Sequence, residues 1–329
     1  MGLIIASGKG LCLRLVLNVL EFRGIGVKTH PCTRKIGVGM SLRSYIDNLI
    51  TRQALTQITT PVSAQFEAAG LLKRLEPKAV MLEQVSGFNF RVAGNLFCSK
   101  AAFAAYFDLT PTEIIPALAR AIERRSPCPQ VSAAPCQEIV HLKPDLNALP
   151  ILRHCDGDGG NYISAGVFIA RHPKHGQNLD FHRAMQISQN ELAVRVVRGR
   201  HFDAFLNELG EMDVAICVGL PPNVLAAAAT SVGLGIDELQ IANALEVVPV
   251  VRATTVDLLI PAEAEFVLEG TVYRDRRHAE GPFVDLTETY DVAREEPVMT
   301  VRAITHRREA IWQALLPGGL EHRLLMGMP

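Results

Sequence analysis

Asn178 and Arg183 stand five residues apart within Gln177-Asn178-Leu179-Asp180-Phe181-His182-Arg183-Ala184-Met185. Together with His182 they place a side-chain carbonyl oxygen, an imidazole and a guanidinium close together. Such a set can hold a metal–phosphate group on one side and a carboxylate on the other. Two further clusters lie downstream. Arg195-Val196-Val197-Arg198-Gly199-Arg200-His201 reads as a strand running into a basic turn, and Ala279-Glu280-Gly281-Pro282-Phe283-Val284-Asp285 sets two carboxylates five residues apart around a Gly-Pro bend. A hard divalent cation takes oxygen ligands with an occasional imidazole, and Asn178, His201 and Glu238 supply that set. Glu280 and Asp285 beside an arginine would form a proton-handling pair, because a buried carboxyl with a like-charged neighbour holds its proton nearer neutrality. Read singly, each residue has a plainer role. Glu238 is then a helix-start acid, His201 a turn histidine, the two carboxylates part of a solvated loop, and the opening stretch the polar edge of a hairpin.

Other chemistries find no support. Gly8-Lys9-Gly10 lacks the upstream glycine of a phosphate loop, Gly157-Asp158-Gly159-Gly160 does not lead into a helix, and no HExxH motif or Gly-x-Ser-x-Gly elbow occurs. The seven cysteines, at 12, 32, 98, 128, 136, 155 and 217, form no CxxC pair, which disfavours a zinc ribbon and points to a reducing cytoplasm. A formal net charge of -1 and the lack of a Lys/Arg-rich block give no reason to expect nucleic acid. The apolar run Leu11–Leu20 is too short to span a bilayer, is interrupted by Arg14 and Asn18, and lacks a small-residue cleavage site.

The elements that must carry these residues fall into two textures. Residues 1–39 read as an extension outside the native fold, with Met40-Ser41 the natural start. Helices are predicted over Leu42–Gln57, Val62–Leu75 and Thr110–Arg125, with short strands at Ala79–Val85 and Phe90–Ala93, so 40–125 forms an α/β domain. A linker rich in Pro, Ser and Ala covers 126–140. Strands then dominate 141–307: Tyr162–Ala170, Asn178–Ala184 continuing through Phe181–Ile187, Leu192–Val197, Val214–Val218, Val247–Arg252, Thr255–Ile260, Glu265–Leu268 and Pro297–Ile304. Helices are few there, about Phe202–Leu209 and Asn223–Thr230. Alternation along 178–184 places Asn178, Asp180 and His182 on one strand face, Phe181 and Arg183 on the other. Many short strands separated by turn signals suggest a partly closed barrel. The tail, Arg308–Leu316, reads as a helix.

In this order the motifs resemble those of the UbiD family of reversible decarboxylases. The resemblance runs from about Met40 to the C-terminus. It is carried by Val85-Ser86-Gly87-Phe88, Val92-Ala93-Gly94-Asn95-Leu96-Phe97, Leu149-Pro150-Ile151, Asp156-Gly157-Asp158-Gly159-Gly160-Asn161-Tyr162-Ile163, Asn178-x4-Arg183, Glu269-Gly270 and Glu280-Gly281-Pro282-Phe283-x-Asp285. It implies a split-barrel, flavin-reductase-like second domain and non-oxidative decarboxylation of an aromatic or α,β-unsaturated carboxylic acid. The implied cofactors are prenylated FMN and a divalent metal, usually Mn2+, with K+ as a further ion.

Carried over position by position, Asn178, His201 and Glu238 match the metal ligands. Phe181, His182, Arg183, Arg195, Val196, Val197, Arg200 and His201 match the flavin-binding strands and the turn toward its phosphate. Arg183, Glu280 and Asp285 match the catalytic network, with Asp285 as proton donor. The resemblance further implies a small carboxylic acid substrate, a flavin prenyltransferase as cofactor supplier and a homo-oligomer at full length. It gives 1–39 no counterpart and makes 308–329 only the start of a C-terminal α/β domain. Two rival readings follow: a catalytically inactive fragment or flavin-binding split-barrel module, and an ordinary FMN-dependent reductase.

Overall fold

The computed structural model describes residues 41–327, so the reading of 1–39 lies outside the described residues. Ser41 opens α1 (Leu42–Thr51) through a reciprocal cap: its hydroxyl accepts the Ser44 N–H at 3.0 Å, and Ser44 Oγ accepts the Ser41 N–H at 2.9 Å. Leu42, Tyr45, Ile46 and Leu49 form the buried face of that helix. It stops short of Gln57, because Gln53 takes a left-handed φ of 54° and Leu55–Ile58 turn into strand β1. The next helix, α2 (Glu67–Leu75), also starts later than expected. Val62 is drawn into a bridge with Val85, and Gln65 into one with Arg153. Strands β2 (Ala79–Leu82) and β3 (Arg91–Gly94) follow, then α3 (Lys100–Tyr106), which periodicity did not reveal, and α4 (Ile114–Glu123).

The Pro-rich stretch after α4 is tied down; the Val131 N–H donates to the Val250 carbonyl at 2.8 Å. Beyond it come β4 (Ile139–His141), β5 (Tyr162–Ile163), β6 (Val167–His172), β7 (Gly176–Phe181), β8 (Ala184–Gln186) and β9 (Glu191–Val194). Helix α5 (His201–Leu209) leads into β10 (Glu211–Val218), and α6 (Pro222–Ala228) and α7 (Glu238–Leu245) precede the small pair β11 (Val250–Arg252) and β12 (Leu259–Pro261). Two long strands, β13 (Phe266–Glu280) and β16 (Arg294–His306), flank the hairpin β14 (Phe283–Val284) and β15 (Tyr290–Asp291). The chain closes with β17 (Ile311–Ala314) and α8 (Leu320–Gly327).

The tail is therefore a strand where a helix was expected. Residues Ile311–Ala314 are buried throughout and pair in parallel with β3, completing a four-stranded sheet of order β1-β2-β3-β17. A short strand covered on both faces lacks the alternation of a half-exposed one, and periodicity cannot tell it from a buried helix. Trp312 on this strand meets Phe266 of β13 with ring centroids 5.1 Å apart, joining the small sheet to the large one.

The large antiparallel sheet runs β5-β8-β9-β16-β13-β10-β6-β7, with β4 alongside β16. No ladder closes it into a barrel among the described residues. Its ends nevertheless lie close. The expected single strand 162–170 is broken at 164–166, so the chain passes from β5 at one end to β6 beside the other end. It crosses back from β7 to β8 over two residues, His182 and Arg183. Three residue steps reach about 11 Å at most, so the sheet must curl until its ends face each other across an unpaired seam. The expected continuous strand from Asn178 to Ala184 is thus two strands. His182 and Arg183 lie in the break between them rather than on opposite faces of one ribbon.

Candidate active site

Seam geometry fixes the first cluster. Arg183 leaves the crossing and meets Glu280, the last residue of β13, in a two-pronged pair: Nε to Oε1 at 2.8 Å and Nη2 to Oε2 at 3.1 Å. Glu280 is fully buried. Burial works against the charge on Arg183, but the Glu280 carboxylate outweighs it and raises the guanidinium's pKa. The guanidinium also lies 5.0 Å over the Phe283 ring. Its Nη2 donates at 3.1 Å to Asp291 Oδ2, and Arg195 Nε lies 3.4 Å from the same oxygen. Arg195 is held in turn by Glu296 at 2.7 Å. Glycine is required beneath this bend, because a Cβ on Gly159 would sit 2.2 Å from the Gly281 carbonyl oxygen. The Gly159 N–H instead donates to the Pro282 carbonyl at 2.8 Å.

His182 faces the interior. Its Nδ1 lies 3.0 Å from the Arg195 carbonyl, its Nε2 3.0 Å from Asp180 Oδ1, and its ring packs against Phe202 with centroids 4.5 Å apart. Burial alone would lower its pKa, but the Asp180 carboxylate carries it above the ordinary histidine value. This imidazole therefore packs and pairs within the wall of the site.

The second cluster joins three elements. Asn178 sits on β7, His201 is the first residue of α5 and Glu238 the first of α7. His201 Nδ1 and Asn178 Oδ1 are 3.0 Å apart, and Glu238 Oε2 accepts the N–H of Leu179 at 2.8 Å. Asn178 Nδ2 is buried without a hydrogen-bond partner. Glu238 is 3 % exposed, and burial pushes its carboxyl up to about 8. α7 is held in register by Asp237, whose side chain accepts the Leu239 N–H at 2.9 Å, and by packing against α4. The ligand types on these adjoining elements, a carboxyl, an amide oxygen and an imidazole, fit a hard divalent cation.

The remaining expected residues lie at the rim or apart. Val196 is buried and Phe181 partly so, whereas Val197 is half exposed, and Arg200 is exposed with Nη1 on Ser231 Oγ at 3.2 Å. Asp285 is exposed; its Oδ1 accepts the Leu286 N–H at 2.7 Å, and it makes no ion pair with Arg183. In its place the carboxylate on Arg183 is Asp291, which sequence reasoning missed together with Glu296. Neither has a linear signal. They reach the arginines only because β13 and β16 pair with Glu280 opposite Arg294.

Comparison with known proteins supplies the lineage. Residues 129–320 match the 3-octaprenyl-4-hydroxybenzoate carboxy-lyase Rift-related domain, and 46–122 match the N-terminal domain of the same carboxy-lyase. The anhydromevalonate phosphate decarboxylase of Methanothermobacter thermautotrophicus is 38% identical over 295 residues, covering 88% of this chain and 68% of the relative. That of Methanosarcina mazei is 34% identical with the same coverage. An evolved dimeric form of the UbiD-class enzyme HmfF from Pelotomaculum thermopropionicum, in complex with prFMN, aligns with a TM-score of 0.86 at 34% identity, over 88% of this chain and 70% of that one. The closed form of the vanillic acid decarboxylase of Sedimentibacter hydroxybenzoicus gives 0.83 at 25% identity, over 88% and 67%. The chain thus spans about two thirds of the length of these relatives.

Proposed function

The chain belongs to the UbiD family of carboxy-lyases, and on that premise we propose that it carries out reversible, non-oxidative decarboxylation of a small aromatic or α,β-unsaturated carboxylic acid. Prenylated FMN, when bound, supplies the electron sink that loss of CO2 from such an acid requires. The observation that carries this reading is the buried Arg183–Glu280 pair at the seam, in the same curled sheet as the Asn178, His201 and Glu238 cluster. Those three residues would hold the divalent metal, Mn2+ by resemblance. Phe181, His182, Arg195 and Val196 would line the flavin, with Val197 and Arg200 at its rim.

The work of the chain's own groups follows from their placement. Glu280 fixes the guanidinium plane of Arg183 through two parallel hydrogen bonds, leaving its outer N–H groups to orient a substrate carboxylate. Asp291 holds one of those donors, so an incoming carboxylate must share it or displace Asp291. Asp285 is assigned the proton delivered to the carbon after CO2 leaves. Since it is exposed, that role requires its loop to approach Arg183. Replacing Asp285 by Asn is expected to abolish turnover while leaving cofactor loading intact.

The decisive experiment is native mass spectrometry of the chain co-expressed with a flavin prenyltransferase and supplied with Mn2+. One prenylated flavin and one metal per chain, with the metal lost in Asn178→Ala, would support the reading; a bare chain under these conditions would overturn it. The exposed position of Asp285 favours one rival, a flavin-binding module without turnover. It predicts full cofactor loading and no release of CO2 from any acid tested.

A further inference from the structure

A separate group of ligand-type side chains lies at the far end of the β6–β7 hairpin. His172 and His175 flank its turn, and Glu208 approaches from α5. One ligand atom from each can be chosen so that all three lie within 4.8 Å of one another. His172 is 1 % exposed, and its Nε2 has no hydrogen-bond partner while lying 3.4 Å from Glu208 Oε2. The two imidazoles stack with centroids 4.8 Å apart, and Phe205 packs against both, at 5.0 Å from His172 and 6.2 Å from His175. Phe205 and the two imidazoles thus form one stacked group beside Glu208.

We propose that His172, His175 and Glu208 form a binding site for a borderline transition metal of the Zn2+ class, which ties the β6–β7 turn to α5. Two imidazoles and one carboxylate are a donor set such ions take, with water completing a tetrahedron. In a tetrahedral shell neighbouring ligand atoms stand roughly 3.5 Å apart, so the three side chains close in by about an ångström. The His172 side is buried and the Glu208 side open, which gives the ion an entry path.

Two contacts compete with the ion. Lys174 Nζ pairs with Glu208 Oε1 at 2.7 Å, and its ammonium is exposed enough to return to water. The Lys174 N–H donates to His172 Nδ1 at 3.2 Å, which places the ring proton on Nε2. Metal at Nε2 shifts that proton to Nδ1 and gives up this long contact. The site is distinct from the Asn178, His201 and Glu238 cluster. Glu208 lies seven residues beyond His201 along α5, about 10 Å of helix rise. It nevertheless links the two elements that carry Asn178 and His201.

Zn2+ titration of the chelator-stripped full chain by calorimetry tests this. The expected result is a binding component that disappears in His175→Ala, weakens by about tenfold or more in Glu208→Gln, and persists in His201→Ala. Lys174→Ala should tighten it, since a competing cation is removed without touching a ligand, so the idea stays testable even if the histidine variant misfolds. Co2+ in place of Zn2+ should show d–d bands without thiolate charge transfer, which separates this site from adventitious cysteine binding. An isotherm unchanged in both His175→Ala and Lys174→Ala, or Zn2+ binding lost entirely in His201→Ala, would overturn the assignment.

Discussion

The two clusters at the heart of the molecule are electrostatic opposites. Around Arg183 every charge has a partner: Glu280 and Asp291 take the guanidinium, while Asp291 and Glu296 take Arg195. Around Asn178 the balance is left open. Glu238 is buried and pushed up to about 8, and Asn178 Nδ2 has no partner. A closed ion-pair network fixes orientation, since its members lose alternative partners. A buried carboxyl without a counter-charge holds free energy that a cation can release. The first arrangement suits a group that must point in one direction, the second a group that must bind.

The largest effect should come from breaking the closed network. Glu280→Ala leaves the mostly buried Arg183 with only the partly exposed Asp291 as partner, and a loss of about 3–5 kcal/mol in stability is expected from urea unfolding. A loss below about 1 kcal/mol would mean that the pair does not hold the seam. The open cluster should respond with opposite sign. In metal-free protein Glu238→Gln removes a buried acid without removing a needed charge, so stability at neutral pH should rise by about 1–2 kcal/mol, while Mn2+ affinity, measured by calorimetry, should collapse. If Glu238→Gln destabilised the metal-free chain as much as Glu280→Ala does, the contrast would fail.

A pH series sharpens the same contrast. The folded pKa of Glu238, about 8, lies above the ordinary glutamate value. Its favourable contribution is therefore fully present below the ordinary carboxylate range and is lost as pH rises toward 8. Mn2+ should flatten that decline. Glu321 provides the control: it is also buried and pushed up to about 8, but lies on α8 accepting the Leu96 N–H at 3.2 Å. Glu321→Gln should stabilise the chain above neutral pH by about 1 kcal/mol, with no dependence on Mn2+. Smallest of all is Asp291→Asn, since Asp291 is partly exposed and its removal leaves the Arg183–Glu280 pair in place. A change within about 1 kcal/mol is expected, with its clearer signature in the KM for a carboxylate substrate.

Part of the candidate site and its framework was legible because local chemistry announces itself. Ser41 and Ser44 sit at capping spacing, and α1 begins where they place it. Asn178, His201 and Glu238 were named from ligand chemistry and family resemblance, and the fold brings them to adjoining elements. Other features left no local trace. Alternation through 178–184 predicted one strand, because side-chain polarity does not record which partner each residue pairs with. The break at His182 and Arg183 exists only because β7 and β8 lie at opposite ends of a curled sheet. Asp291 and Glu296 read as ordinary loop and strand acids until strand pairing carries them to Arg183 and Arg195. The His172, His175 and Glu208 group was hidden in the same way, split between a turn and a helix.

The sequence by itself determined which residue types were available and where helices could start, since capping and ligand chemistry depend on a few neighbouring residues. It also determined the family, through the order of its motifs. Only the tertiary structure decided that Ile311–Ala314 would be a strand, that the sheet would curl until its ends faced each other, and that Asp291 rather than Asp285 would sit on Arg183. Those outcomes depend on pairing between segments far apart in the chain, and a long-range pairing energy is a property of two segments that neither one encodes alone.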